Sequence, residues 1–251
     1  MTWDPSCYGA HGDHRLRPGR ELLARVPIEP SLVYDLGCGT GELTNELGKR
    51  WPAATVVGID NSEEMLAKTQ PLGNVRFQQQ SIEDWKPEVA PDLIFSNAAL
   101  HWVADHERLF PRLLGSLAAG GVLAVQMPDN WREPTHQLIY EAVDQRGWTD
   151  RLDGHLLRNP VAPLAKYLDW LAAASEVDAW RTTYYQAMNG SDPVLSWVRG
   201  SVLVPVQSML SQAEFADLSD ALADAYRRVY PPSPSGQIVL PISRVFLVAR
   251  S

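Results

Sequence analysis

The segment Val33-Tyr-Asp-Leu-Gly-Cys-Gly-Thr-Gly41 ends an apolar run on an acid and then breaks into three alternate glycines. Glycine carries no Cβ and turns freely, so a strand ending in Asp35 here brings bare backbone against a ligand. The next apolar run, Thr55-Val-Val-Gly-Ile59, closes on a second acid, Asp60. A carboxylate at that place can accept bonds from both hydroxyls of a ribose. The two acids and three glycines describe a nucleoside site at the carboxyl ends of a parallel sheet. A nicotinamide dinucleotide site spaces its glycines G-x-G-x-x-G, so that a helix N-terminus can hold a pyrophosphate. Gly37, Gly39 and Gly41 are spaced G-x-G-x-G instead, with Asp35 two residues ahead. That acid repels a pyrophosphate but not an ammonium or a sulfonium, which points to S-adenosylmethionine. A strand-to-helix turn that simply needs glycine is the plainer alternative.

The elements that must position these residues alternate along the first half of the chain. An irregular start from Met1 to Pro18 leads into an amphipathic helix with Leu22, Leu23 and Val26 as its apolar stripe, stopped by Pro27 and Pro30. Strands are expected at 32–36, 55–59, 75–79, 92–96 and 122–127, separated by helices at about 41–50, 63–69 and 105–117, the last despite Pro111. Short apolar strands alternating with helices form a doubly wound parallel sheet. The second half is less regular. Helices are expected at 134–147 and 163–174, a strand at 177–186, helical segments at 193–202 and 212–230, and a last strand region at 238–249 broken near Pro241. The acidic stretch Glu214 to Asp224 reads as a solvated helix face with Leu218, Leu222 and Tyr226 turned inward. If the Val177 strand is parallel to the first five, the insertion 188–236 leaves from the ligand edge of the sheet and acts as a lid; a helical pair that only covers the sheet edge is the alternative. One domain, 1–251, is expected.

Bulk properties narrow the class. With 251 residues, 45% hydrophobic and 21% charged, the chain is long enough for one large globular domain. A formal charge of -8 opposes broad contact with nucleic acid but leaves room for a small anionic substrate in a locally basic pocket. The two cysteines, Cys7 and Cys38, are far apart and in no metal or redox spacing, so a reducing cytoplasm is the expected location. The start lacks a signal-peptide pattern, and no apolar run is long enough to span a membrane. His11-Gly-Asp-His14 invites a metal reading, but a third partner is not evident and no metal is expected.

The chain resembles the Rossmann-like S-adenosylmethionine-dependent methyltransferases. More closely, Ala24-Arg-Val-Pro27, Arg50-Trp-Pro-Ala53, Asn97-Ala-Ala-Leu-His-Trp102, Gln126-Met-Pro-Asp-Asn-Trp131 with Glu133-Pro-Thr-His136, and Trp180-Arg-Thr-Thr-Tyr-Tyr185 resemble the trans-aconitate 2-methyltransferase family. These runs reach from the N-terminus to the last strand, and the Gln126 to His136 run is the specific part. The resemblance implies a seven-stranded, mostly parallel α/β sheet with helices on both faces, an antiparallel last strand and a helical insertion before it. It further implies that Gly37, Cys38, Gly39 and Gly41 line the methionine part of the cofactor with Asp35 near its ammonium. Asp60 would take the ribose, while Asn61 and Met65 neighbour the adenosine. Many members of the class place an aspartate after the third strand for the adenine; the matching positions here are Ser81 and Ile82, with Glu83 or Asp84 as possible substitutes. Asn97 and Ala98 would flank the sulfonium.

The implied reaction is methylation of one carboxylate of trans-aconitate to a monomethyl ester. A carboxylate is already ionised at neutral pH, so no general base and no catalytic side chain in that sense is required. The demand is for positioning, and for cations or donors on the two unreacting carboxylates. Arginines 15, 17, 20, 132, 181 and 199 are candidates, and Arg17 and Arg199 rank first because their segments are expected to fold over the cofactor. His101 could bond a carboxylate or merely pack on Trp102, and both residues are candidates for the substrate side. Asn130 and Trp131, after the fifth strand, could orient the acceptor and wall it in. Of Tyr184 and Tyr185 at most one should face the site, since strand sides alternate. Alternative functions are methylation of another small carboxylic acid or hydroxyl metabolite, a nucleotide-dependent dehydrogenase, and cofactor binding without catalysis.

Overall fold

The computed structural model describes residues 12–251 apart from 157 and 159, with side chains from Leu16 onward. In chain order the helices are α1 (Gly12–Ala24), α2 (Glu42–Arg50), α3 (Glu63–Leu66), α4 (His106–Gly115), α5 (Pro134–Gln145), α6 (Leu164–Trp170), α7 (Pro193–Arg199), α8 (Val204–Gln207) and α9 (Gln212–Val229). The strands are β1 (Leu32–Leu36), β2 (Thr55–Asp60), β3 (Val75–Gln79), β4 (Leu93–Asn97), β5 (Val122–Pro128), β6 (Glu176–Met188) and β7 (Ile238–Arg250). They form one seven-stranded sheet in the order β3-β2-β1-β4-β5-β7-β6. The ladders β1–β2, β1–β4, β2–β3 and β4–β5 are parallel, and β5–β7 is antiparallel. The Ser175 N–H donates to the Arg250 carbonyl and Trp180 stacks on Phe246, so β6 runs opposite to β7 and therefore with the parallel strands. The strand order reverses between β1 and β4, the switch point at which open α/β sheets bind ligands.

Two compact units divide the chain. The sheet unit comprises Asp13–Pro128, Val161–Thr182 and Arg244–Ser251. Its strands are apolar on both sides, with Val33, Val56, Ile59, Leu93, Phe95, Leu123 and Val125 all buried, as a parallel sheet covered on two faces requires. Helices supply the cover through i, i+3 and i+4 stripes, such as Leu43 and Leu47 in α2 and Leu109, Phe110 and Leu113 in α4. The helical unit contains Asp129–Pro160 and Thr183–Ser243. Leu218, Leu222 and Tyr226 of α9 face inward and share one core with Ile139 and Val143 of α5 and Val194 and Val198 of α7. A capping box at Ser211 and Glu214 starts α9. The expected insertion thus packs with the segment after β5 as well as with itself.

Three local expectations need correction. The first helix begins at Gly12 and runs through Pro18 rather than starting after it; proline removes one donor and strains one turn, but the remaining turns hold the helix. Strand β7 is not broken at Pro241, because its ladder with β5 involves only 244–250 and needs no N–H from position 241 on that side. Helix α3 is a single turn, shorter than expected, capped by Ser62 through the Met65 N–H at 3.3 Å.

Candidate active site at the carboxyl edge of the sheet

The turn after β1 is left-handed at each alternate glycine, with φ of 78° at Gly37, 55° at Gly39 and 80° at Gly41. Four of its N–H donors are spent inside the protein. Gly37 and Cys38 N–H groups donate to the Ile59 carbonyl at 2.7 and 3.0 Å, and the Gly41 N–H to Cys38 at 3.0 Å. The Gly39 N–H donates to Asp60 Oδ2 at 2.8 Å, while Asp60 Oδ1 accepts from the Ser62 N–H at 2.9 Å. Asp60 therefore braces the glycine turn, and its carboxylate keeps lone pairs for further donors. A pyrophosphate would need those N–H groups turned outward, and they are not. A Cβ at Gly37 would collide with Ala99 and one at Gly41 with the Phe77 ring, whereas a Cβ at Gly39 would meet nothing within 4 Å. The middle glycine is the one whose bare backbone faces open space.

Asp35 is only 2% exposed and accepts the Thr44 hydroxyl at 2.7 Å. Burial pushes its carboxyl up to about 7; the Thr44 bond pulls it down and the neighbouring Asp60 pushes it further up. Among the described residues no side chain forms an ion pair with it. A buried acid of this kind suits a cationic ligand. Burial, with the charges of Asp35 and Asp60, keeps the Cys38 thiol protonated, so it is no nucleophile.

Beyond β2, the Asn61 carbonyl accepts the Gln79 side-chain amide at 3.2 Å, and Met65 is half-buried. Ser81 donates its hydroxyl to Asp84 Oδ2 at 3.0 Å and accepts the Asp84 N–H at 3.1 Å. Two of the four candidates for the adenine contact, Ser81 and Asp84, are thus locked to each other. Arg112 holds this loop by donating to the Ile82 and Trp85 carbonyls at 2.8 and 2.6 Å. Ile82 Cδ1 lies 3.6 Å from where a Cβ on Gly37 would be, so this side chain stands next to the glycine turn.

At the end of β4, the buried Asn97 Oδ1 has no hydrogen-bond partner, and Gly19 of α1 is apposed so closely that a Cβ there would lie 3.1 Å from that oxygen. Ala98 is left-handed at φ 54°, a cost of about 1–3 kcal/mol for a residue with a side chain, and donates its N–H to the Gln126 carbonyl at 2.9 Å. A short 3-10 turn, 100–102, follows. His106 fixes it: its Nε2 meets the Leu100 carbonyl at 2.9 Å and its Nδ1 meets the Tyr167 hydroxyl at 2.7 Å. His101 is buried and pushed down to about 3, chiefly by burial and then by the charges of Arg244 and His106, so at neutral pH it is an uncharged imidazole. Its ring lies 4.9 Å from that of Trp102, which is 53% exposed.

The sheet unit gathers Asp35, the glycines, Asp60, Ile82, Asn97, Ala98 and His101 at neighbouring strand ends. The substrate-side expectations fare differently. Arg17 is exposed on α1 and bonded to Glu21 at 2.8 Å. Asn130, Trp131, Tyr184 and Arg199 belong to the helical unit. Within it, Asn130 Oδ1 accepts the Ser243 N–H at 2.6 Å, a structural use of that amide oxygen. Trp131 is buried with its ring edge-on to His136 at 5.0 Å. Tyr184 packs on the helical core while Tyr185 is exposed. The Arg199 guanidinium lies over the Phe215 ring at 5.4 Å. His11 lies outside the described residues, and among those described no group of three metal-ligating side chains occurs.

Two residues of this edge are not among the site residues expected from sequence. Gln126, on β5 beside Asn97 in register, is 1% exposed, and its Nε2 has no partner. Leaving a buried donor unmet costs about 1–3 kcal/mol. Arg244 is half-buried on β7 opposite Pro128. The signal for it was available: a lone charged residue inside the apolar run Ile238 to Ala249.

A family model for a methyltransferase domain matches residues 33–121. Trans-aconitate 2-methyltransferase of Variovorax paradoxus (strain S110) is 46% identical over 259 residues, covering 100% of this chain and 98% of its own. The protein of the same name from Escherichia coli O7:K1 is 43% identical, covering 99% and 98%. Among solved structures, the YcgJ protein of Bacillus subtilis superposes with a TM-score of 0.60 at 16% identity, covering 95% of this chain and 98% of its own. Haemonchus contortus phosphoethanolamine N-methyltransferase 2, solved with S-adenosyl-L-methionine, gives 0.53 at 16% identity over 93% of this chain and 52% of its own. At that identity the structural likeness concerns the fold alone. No described helix is long and apolar enough to cross a membrane.

Proposed function

The chain belongs to the trans-aconitate 2-methyltransferase family, and from that membership we propose that it methylates one carboxylate of trans-aconitate with S-adenosylmethionine, giving a monomethyl ester. The observation that carries this reading is the 46% identity to the Variovorax enzyme along essentially the full length of both chains. The site fits the cofactor independently. A buried acid, an unmet amide oxygen on Asn97 and an open cradle at Gly39 suit a ligand with an ammonium and little bulk beside the turn. Asp35 and Asn97 would receive the ammonium, Gly37 to Gly41 the methionine chain and Asp60 the ribose, with Met65 and Ile82 against the adenine.

When bound, S-adenosylmethionine supplies an electrophilic methyl: its sulfur–carbon bond breaks as an oxygen–carbon bond forms, and the sulfonium and carboxylate charges cancel. No proton moves, so the protein needs no general base. Its residues act by holding the acceptor in line, where orientation contributes roughly 7–11 kcal/mol. The neutral, buried His101 suits this role as a hydrogen-bonding wall that brings no competing charge. A cytoplasmic location accompanies a metabolite-methylating role.

The test is transfer of a labelled methyl group to a panel of di- and tricarboxylates. Saturable transfer to trans-aconitate, in preference to citrate or isocitrate, and into an alkali-labile product is expected; absence of transfer to any carboxylate would refute the reading.

A further inference from the structure

We propose that Gln126, near the end of β5, and Arg244, in the middle of β7 where its ladder with β5 stops, form the anchor for an unreacted carboxylate of the acceptor. The proposal rests on the reading of a carboxylate acceptor given above and assigns it a place.

Register fixes the geometry. Asn97 is paired with Gln126 across the β4–β5 ladder, and Gln126 with Phe246 across β5–β7. Residues in register project to the same side of a sheet, so Asn97, Gln126 and Phe246 form one row, and Trp180 stacks on Phe246 at 4.8 Å on that side. Arg244 is two residues from Phe246 and so faces the same side, diagonal to Gln126 and within reach of a long side chain. His101 stands close enough for the Arg244 charge to act on it. All of these residues lie in the sheet unit.

The edge is sorted by polarity. Strands β1, β2 and β4 end in acceptors: the carboxylates of Asp35 and Asp60 and the unmet oxygen of Asn97. Strands β5 and β7 supply the opposite kind: the unmet amide donor of Gln126 and the guanidinium of Arg244. A cationic cofactor belongs on the first half and an anionic acceptor on the second, with the reacting charges meeting between them. Arginine offers two parallel donors to a carboxylate, which fixes orientation as well as position. The buried Gln126 donor has no structural reason to go unmet in this fold, since an apolar side chain of the same volume would fill the place. A carboxylate oxygen would complete it.

The test uses the full chain with Arg244→Gln, Arg244→Lys and Gln126→Met. Calorimetric titration of trans-aconitate into protein saturated with S-adenosylhomocysteine is read beside the acceptor and cofactor KM. Arg244→Gln should weaken trans-aconitate about 30-fold or more, with partial recovery in Arg244→Lys. Gln126→Met should weaken it about 5-fold or more without lowering Tm, because it removes an unmet buried donor. Cofactor affinity should stay within about twofold in all three. Unchanged acceptor affinity, or equal loss of acceptor and cofactor, overturns the anchor, and a response from one position alone removes the other. Should Arg244→Gln not fold, the charge-keeping Arg244→Lys and volume-keeping Gln126→Met decide. Wild-type methylation of trans-aconitate that survives both substitutions would sink the anchor and leave the function standing. Binding of a different di- or tricarboxylate that is lost in Arg244→Gln would do the reverse. If the wild type binds no carboxylate in the panel, both fall.

Discussion

Asp35 and Asp60 are the same residue type at the ends of adjacent strands, yet their surroundings assign them different work. Asp60 is braced by the backbone N–H groups of Gly39 and Ser62 and stabilises the turn that it borders. Asp35 has a single described side-chain donor, the Thr44 hydroxyl, and burial raises its carboxyl to about 7. Between the unfolded value of 3.8 and about 7 the folded protein therefore holds a proton that the unfolded chain releases. Without ligand, stability should fall as pH rises through that window and level off above it. A bound cation favours the ionised form, so cofactor affinity should rise over the same window. Calorimetry with S-adenosylhomocysteine at about pH 5.5 and about pH 7.5 should give tighter binding at the higher value, and Asp35→Asn should bind weakly with little pH dependence. An unchanged slope in the variant would remove Asp35 from the ammonium site. The two acids were legible in the sequence as strand-ending carboxylates. Their division of labour was not, because it depends on which backbone donors the folded turn presents.

At the scale of the element, the glycine turn contains two kinds of glycine. Gly37 and Gly41 are there because Ala99 and Phe77 occupy the space that a Cβ needs. Gly39 is there although its surroundings are open. Gly37→Ala should cost stability, about 1–2 kcal/mol from the left-handed backbone alone and more from the collision. Gly39→Ala should cost a similar backbone amount without the collision, yet lose more cofactor affinity relative to its change in Tm. Thermal denaturation paired with titration of S-adenosylhomocysteine separates them; a larger binding loss per degree of Tm in Gly37→Ala would refute the cradle. The turn, its strand and the following helix could be read from residue types, since each signal is local. Arg244 could not be placed so easily. Its role depends on β7 lying antiparallel beside β5, a pairing between residues more than a hundred positions apart.

On the scale of the whole molecule, the chain builds one core around the sheet and a second among α5, α7 and α9. The second core belongs to a unit assembled from two stretches separated in sequence, Asp129–Pro160 and Thr183–Ser243. Leu218→Ala, at a fully buried position of α9, should cost about 2–5 kcal/mol. Hydrogen exchange should then speed up in α5, α7 and α9 well before β1 to β4, while S-adenosylhomocysteine affinity changes little. Uniform acceleration across the sheet strands would mean that the two cores unfold as one.

Local residue patterns were enough to establish the class of fold, the nucleoside edge and the preference for a cation over a pyrophosphate. Those features follow from strand-ending acids, glycine spacing and apolar periodicity, all of which act within a few residues. The folded chain alone shows that Asp60 braces the glycine turn, that Ser81 and Asp84 bind each other, and that Asn130 spends its amide oxygen on Ser243. It alone brought Asn97, Gln126 and Arg244 to one side of the sheet edge. Register explains the difference: whether a polar side chain is met or left unmet depends on what stands opposite it across the ladder, and that neighbour is supplied by a distant part of the chain.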